Sequence, residues 1–154
     1  FKRVNSIVDC KLFMIGDGPE RISTESLVKK YNLDKKVIFL GNTKDIERIL
    51  LQTDLFLLPS ESESFGLVAL EAMAYSIPVI TTNKGGIIEV VDNNKNGFTI
   101  EVGDVSMMAE KVIKILDDDV MYLQFSKKAH EKALKFDIKN ILPMYEREYL
   151  SLLK

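Results

Sequence analysis

Tryptophan is absent from this 154-residue sequence, and cysteine and histidine occur once each. Cys10 has no partner for an internal disulfide, and one cysteine with one histidine cannot assemble a standard zinc site. His130 stands among Lys127, Lys128, Glu131 and Lys132, where a solvated surface position is the plain reading, so no Ser/His/Asp constellation is on offer. Long apolar runs are lacking too. Nothing approaches the roughly 20 residues that span a bilayer, and no signal-peptide pattern is visible. A net charge of −2 provides no basic footprint for nucleic acid or an anionic membrane. The economical expectation is a cytoplasmic protein with no nucleic-acid partner and no stable membrane insertion. A homo-oligomer stays open.

What is present is an ordinary globular composition, 46% hydrophobic and 29% charged, in a chain long enough for one domain with its own core. Short apolar runs at Lys11–Ile15, Lys36–Leu40, Asp54–Leu58, Ile77–Thr81 and Gly97–Val102 read as strands. Between them, helical patterns fall at Glu20–Tyr31, Asp45–Leu51, Phe65–Tyr75 and Ile87–Val91. This alternation predicts an α/β fold, a Rossmann-like parallel sheet with helices on both faces. The strands are continuous apolar runs, as expected where both faces are covered. From Asp104 onward only helical patterns remain, so residues 105–154 form a helical C-terminal tail.

The chain opens at Phe1, without Met, on a short amphipathic piece followed at once by a strand. A helix that short is unusual before a strand. Residues 1–9 are therefore expected to be a fragment of a preceding strand-loop-helix, with residues missing before Phe1 and between Asp9 and Cys10. Residues 1–154 make a single domain.

In such sheets ligands sit at the carboxyl ends of the strands. The loops there read GDGP, GNTKD, PSESES and TNKGG, and they hold the polar and glycine-rich chemistry. Gly16-Asp17-Gly18-Pro19-Glu20-Arg21 matches a dinucleotide fingerprint only in its first two glycines, because Arg21 stands where the third belongs. A strand-to-helix turn lining a cleft is the better reading. Ser64-Phe65-Gly66-Leu67 opens a helix, whose free N–H groups and dipole favour an anion, and Gly66 permits close approach. A simple serine cap explains the same residues equally well. Glu71 lies within that apolar helix, with Leu67, Val68, Ala74 and Tyr75 at i±3 and i±4, on a surface that would otherwise be buried. Glu63 stands just ahead of the helix. Two carboxylates beside an anion site repel phosphate but bind hydroxyls well, so the set fits a phosphate flanked by two polyols, a nucleotide sugar. The alternative is a structural Glu71 satisfied by a backbone N–H or a lysine. Lys84-Gly85-Gly86 is a turn on the same edge.

These residues resemble a known family. Glu63 to Ala74, ESFGLVALEAMA, is similar to the E-x7-E signature of retaining family 4 glycosyltransferases of the GT-B fold. Gly16-Asp17-Gly18-Pro19-Glu20, Phe39-Leu40-Gly41, Pro78-Val79-Ile80 and Gly85-Gly86 with Glu89-Val90 follow in that family's order. The resemblance spans about Cys10 to Val102, and it implies the C-terminal, donor-binding half of a two-domain enzyme. By the family's pattern Glu63 contacts the transferred sugar. The backbone of Phe65, Gly66 and Leu67, with Ser64 beside it, approaches sugar and diphosphate. Glu71 binds the ribose, Asn42 and Thr43 lie near the base, and Gly16 and Gly18 line the cleft. Lys2 resembles the family's diphosphate-binding lysine. The implied donor is a UDP-sugar, the implied acceptor a small molecule held by an N-terminal domain, and no metal is required. Within the family, LLPSESESFGLVALEAMA and FKRV resemble most a branch that transfers N-acetylglucosamine from its UDP derivative to L-malate. Ile88 stands where the family commonly has proline, and Tyr75-Ser76 where it has a small residue followed by glycine.

Overall fold

A computed structural model describes residues 1–153. Helix α1, Lys2–Asn5, leads to strand β1, Leu12–Ile15. Then follow α2 (Arg21–Lys30), β2 (Val37–Gly41), α3 (Ile46–Leu50), β3 (Phe56–Leu58), α4 (Leu67–Ala74), β4 (Val79–Thr82), α5 (Ile87–Val90) and β5 (Gly97–Ile100). Three helices close the chain: α6 (Val105–Leu116), α7 (Asp119–Lys135) and α8 (Ile138–Leu152). Every strand pairing is parallel, as the alternation predicts. The ladder is divided, however, into β1-β2 and β3-β4-β5.

Burial explains the second piece. Successive residues of a strand face opposite sides. Val79 lies in a cluster with Ala69, Ala72 and Met73 of α4 and Ala129 of α7. Its neighbour Ile80 lies in another, with Phe98, Ala109, Val112 and Ile115. Both faces of β3–β5 are thus covered, and all four residues of β4 are buried. The first piece differs from expectation. Leu12 and Met14 pack toward Val28, Leu33 and Val37, but Phe13 and Ile15 on the other face are 37% and 42% exposed.

Within residues 1–9 only Val4 is buried. Val4 is buried against Ile80, Phe98 and Ala109, and the Arg3 guanidinium donates to Ser106 Oγ on α6. Lys36 pairs with Asp9, and that contact holds the Asp9 carboxyl below its ordinary value.

The last helices begin on aspartates that accept backbone N–H groups: Asp104 from Met107, Asp118 from Met121 and Asp137 from Lys139. α7 serves as a brace for α4. Ser126 Oγ donates to Ser76 O, and His130 Nδ1 lies 2.9 Å from Ala74 O. His130 is exposed, as its charged neighbours imply, yet its ring is tied to the end of α4.

Ser76 has φ +63°, a left-handed conformation that suits glycine. It follows the last turn of α4, where its N–H donates to Met73 O. This is the position where the family commonly carries glycine. Ser76→Gly is expected to stabilise the fold by about 0.5–1 kcal/mol, relief of strain exceeding the added chain entropy. Urea unfolding checks this, with a raised midpoint and an unchanged slope as the expected result.

Candidate active site

Two loop groups stand at the carboxyl edge of the strands. In the first, Gly16 N–H donates to Gly41 O at 2.9 Å, which ties the GDGP turn to the Gly41–Thr43 loop. Gly16 and Gly18 have nothing within 4 Å of where a Cβ would stand, so both border open space. Arg21 does not reach into that space. It pairs with Glu25 at 2.9 Å and Asp17 at 3.3 Å, and the Glu25 bond, followed by Asp17, holds the guanidinium above its ordinary value. Asn42 is exposed, while Thr43 Oγ1 accepts the Asp45 N–H at 3.1 Å.

The second group is built more tightly. Thr81 and Thr82, fully buried on β4, donate their hydroxyls to Leu58 O and Ser60 O and so fix the start of the PSESES loop. The TNKGG turn seats its other end. Gly86 N–H donates to Glu63 O at 3.0 Å. A Cβ on Gly85 would lie 1.8 Å from Glu63 O, and one on Gly86 would lie 2.2 Å from Ser64 O. Gly66, at φ +88°, starts α4 and sits against Ile87. No side chain caps α4, so the N–H groups of Leu67 and Val68 point out of its first turn. The Glu63 carboxylate lies beside them, accepting the Gly66 N–H at 3.2 Å. Ser64 is exposed, and Phe65 packs edge-on to Phe136 at 5.7 Å.

Glu71 is exposed, which reverses the expectation that it sits on a buried surface. α4 is apolar on both sides, and the face that enters the core is Ala69, Ala72 and Met73. The opposite face carries Glu71 with Leu67 (65% exposed), Val68 (45%) and Tyr75 (37%). Among the described residues Glu71 makes no hydrogen bond or ion pair, so the structural alternative, a carboxylate satisfied by an N–H or a lysine, is not what is found. It stands instead in an open apolar patch one turn beyond the helix N-terminus.

Lys2 requires correction. Its Nζ lies 4.3 Å over the ring of Tyr31. Tyr31 follows the last turn of α2, whose end leads into the start of β2. Lys2 is therefore at the amino edge of the strands, opposite the loops just described. The reason is connectivity: α1 runs into the beginning of β1, so its residues lie near the end of the sheet where strands start. Lys84, exposed and adjacent to Gly85, is the cation that the TNKGG turn brings to the site. The sequence showed it only as part of a flexible turn.

With this geometry in place, the comparisons with known proteins decide the family. The profile described as "Glycosyl transferases group 1" matches residues 1–132. The chain belongs to the group 1 glycosyltransferases. Its fold is that of the GT-B enzymes. It is 39% identical over 155 residues to N-acetyl-alpha-D-glucosaminyl L-malate synthase of Bacillus anthracis, covering 100% of this chain and 41% of that protein. It is 34% identical over 117 residues to 2-deoxystreptamine N-acetyl-D-glucosaminyltransferase of Niallia circulans, covering 75% of this chain and 30% of that one. Among solved structures, Anabaena Alr3699/HepE in complex with UDP-glucose superposes with a TM-score of 0.81 at 25% identity, over 97% of this chain and 44% of that one. The chain thus spans less than half the length of these relatives. Among the described residues no helix is long and apolar enough to cross a membrane, and no group of three or more metal-ligating side chains is found.

Proposed function

We propose that this group 1 glycosyltransferase chain is the donor-binding domain of a retaining, UDP-sugar-dependent enzyme. Its donor is UDP-N-acetylglucosamine and its acceptor L-malate, the first step toward bacillithiol. The observation that carries the reading is Glu71: an unpartnered carboxylate in an apolar patch, beside a helix N-terminus that Glu63 flanks on the other side. Carboxylates recognise vicinal hydroxyls, and the helix terminus recognises phosphate. The relatives from Bacillus anthracis and Niallia circulans both carry N-acetylglucosaminyl in their names, which supports the sugar. Malate rests on the first of them.

In this reading Glu71 holds the ribose and Glu63 the transferred sugar. The backbone at Phe65, Gly66 and Leu67, with Ser64, holds the diphosphate, and Asn42, Thr43, Gly16 and Gly18 border the base and the acceptor side. The sugar C1–O bond to the diphosphate breaks as the acceptor hydroxyl bonds C1 on the same face, and its proton passes to the departing diphosphate. No protein nucleophile takes part. Catalysis rests on placement and on stabilising the leaving charge. Helix N–H groups and cationic side chains supply that stabilisation without a metal ion.

Lys84 takes the electrostatic part first given to Lys2. Lys84→Ala is expected to weaken UDP binding about 5- to 10-fold, near 1 kcal/mol for an exposed charge-assisted contact, and to leave uridine binding unchanged. Calorimetric titration of both ligands measures this.

The deciding experiment supplies UDP-N-acetylglucosamine and L-malate to the full-length protein and follows the product by proton NMR. Formation of the α-linked N-acetylglucosaminyl malate is expected. Donor binding without transfer to any acceptor would identify a nucleotide-binding module instead, and transfer to a different acceptor would remove malate while keeping the donor.

A further inference from the structure

The uncapped start of α4 is built on a residue with little rigidity of its own. Gly66 has no side chain, and its φ of +88° lies in a region that glycine enters and leaves freely. The direction of the first N–H groups of α4 therefore depends on what holds the neighbouring residues. Ile87 packs against Gly66 on one side, and the Gly86 N–H holds the Glu63 carbonyl on the other. Phe65 lies between these two supports. Its half-buried ring packs on the cluster that holds Ala69, Ala72 and Met73. It also meets the ring of Phe136 edge-on, with 5.7 Å between centroids and 73° between planes.

Phe136 is itself held from several directions. It closes α7, and its N–H donates to Ala133 O at 2.9 Å. Asn140 Nδ2, in the first turn of α8, donates back to Leu134 O at 2.7 Å, which locks the junction of the two helices. Lys132 Nζ lies 6.0 Å over the Phe136 ring and pairs with Asp92 Oδ1 at 2.9 Å. The Lys132 side chain is only 15% exposed, so salt screens this pair less than a surface one. Asp92 lies just past α5, the helix that follows the TNKGG turn. The ring that meets Phe65 is thus tied to both segments that shape the site. Ser126 and His130, earlier on α7, engage the far end of α4. The two helices therefore run antiparallel, and it is the Phe136 end that meets the donor loop.

We propose that Phe136 is a positioning residue for the donor diphosphate: its ring fixes Phe65, and Phe65 fixes the N–H groups of Gly66, Leu67 and Val68. This rests on the donor reading given above. Edge-to-face packing is directional, because the positive rim of one ring meets the negative face of the other. An aliphatic side chain fills similar space without that preference, so ring and volume have separable effects. Donors aimed in advance bind charge better than donors that must reorient. The nucleoside, held by Glu71 one turn further on, should not sense the change.

Calorimetric titration of UDP and of uridine into the full-length protein tests this. Phe136→Ala is expected to weaken UDP binding about 5- to 20-fold, the equivalent of one poorly aimed hydrogen bond to a charged group. Uridine affinity should stay the same. Phe136→Leu, which keeps apolar volume, should still lose UDP affinity, and Phe136→Tyr, which keeps the ring, should restore it. These two variants decide the matter where Phe136→Ala does not fold. Ser126→Ala, which loosens α7 at the far end of α4, should lower Tm and leave UDP affinity unchanged. Wild-type UDP affinity in Phe136→Leu would overturn the proposal. So would an equal loss of uridine affinity, or a UDP loss in Ser126→Ala as large as in Phe136→Ala. A wild-type protein that binds no UDP would overturn the donor reading and this proposal with it. Wild-type binding beside unaltered variants would overturn this proposal alone.

Discussion

Gly85→Ala is expected to cost about 3 kcal/mol of stability, a fall of roughly 6–12 °C in Tm for a chain of this size, and to remove UDP binding. Two effects combine. The backbone at Gly85 has φ +79°, which an alanine adopts only with strain. The new methyl would also lie 1.8 Å from the carbonyl oxygen of Glu63. That obstacle is backbone, so no rotamer change relieves it, and the TNKGG turn must withdraw from the loop that positions Glu63 and Gly66. Gly18→Ala is the matched control. Its Cβ meets nothing within 4 Å and its φ is not positive, so Tm should stay nearly unchanged. Thermal unfolding and UDP titration of both variants measure the contrast. Equal behaviour of the two would show that the two loops are not coupled as described.

The second large effect separates binding from folding. Glu71 is exposed and unpartnered among the described residues, so Glu71→Gln should change stability by less than about 0.5 kcal/mol. If its carboxylate accepts ribose hydroxyls, the same change should weaken UDP binding by about 10- to 100-fold, since hydrogen bonds to a charged acceptor contribute about 1.5–3 kcal/mol. Glu63→Gln should behave otherwise. Its carboxylate already accepts the Gly66 N–H, and its ligand is the sugar. The expected loss appears with the UDP-sugar and in turnover, and little of it with UDP alone. A loss of stability in Glu71→Gln, with affinity retained, would return Glu71 to a structural role.

Much of this was legible in the sequence because strand burial leaves a direct trace. β4 is an unbroken apolar run since Val79 and Ile80 each enter a different cluster, and Asp104 announced α6 through its cap. The loops GDGP, PSESES and TNKGG share one edge because alternation with helices fixes strand direction, and that alternation is visible in the sequence. Three features were not legible. α4 is apolar on both sides, so periodicity could not tell that Ala69, Ala72 and Met73 face inward and Glu71 outward. Lys2 matched a local string, but only the path of α1 into the start of β1 shows that it stands at the opposite edge. The division of the sheet depends on strand neighbours, on which linear spacing is silent. Ser76 is an intermediate case: its departure from the usual glycine was visible, while its φ of +63° was needed to show what the departure costs.

The central claim is that a nucleoside diphosphate seats on the first turn of α4, between Glu63 and Glu71, at the carboxyl edge of the strands. Titration of UDP into the isotope-labelled protein, followed by amide NMR, tests it most directly. The largest shifts should fall on Gly66, Leu67 and Val68, with smaller ones at Gly85, Gly86 and the Gly41–Thr43 loop, and none at Lys2 or Tyr31. Saturable shifts centred on Lys2 and Tyr31, with Gly66 and Leu67 unmoved, would contradict it.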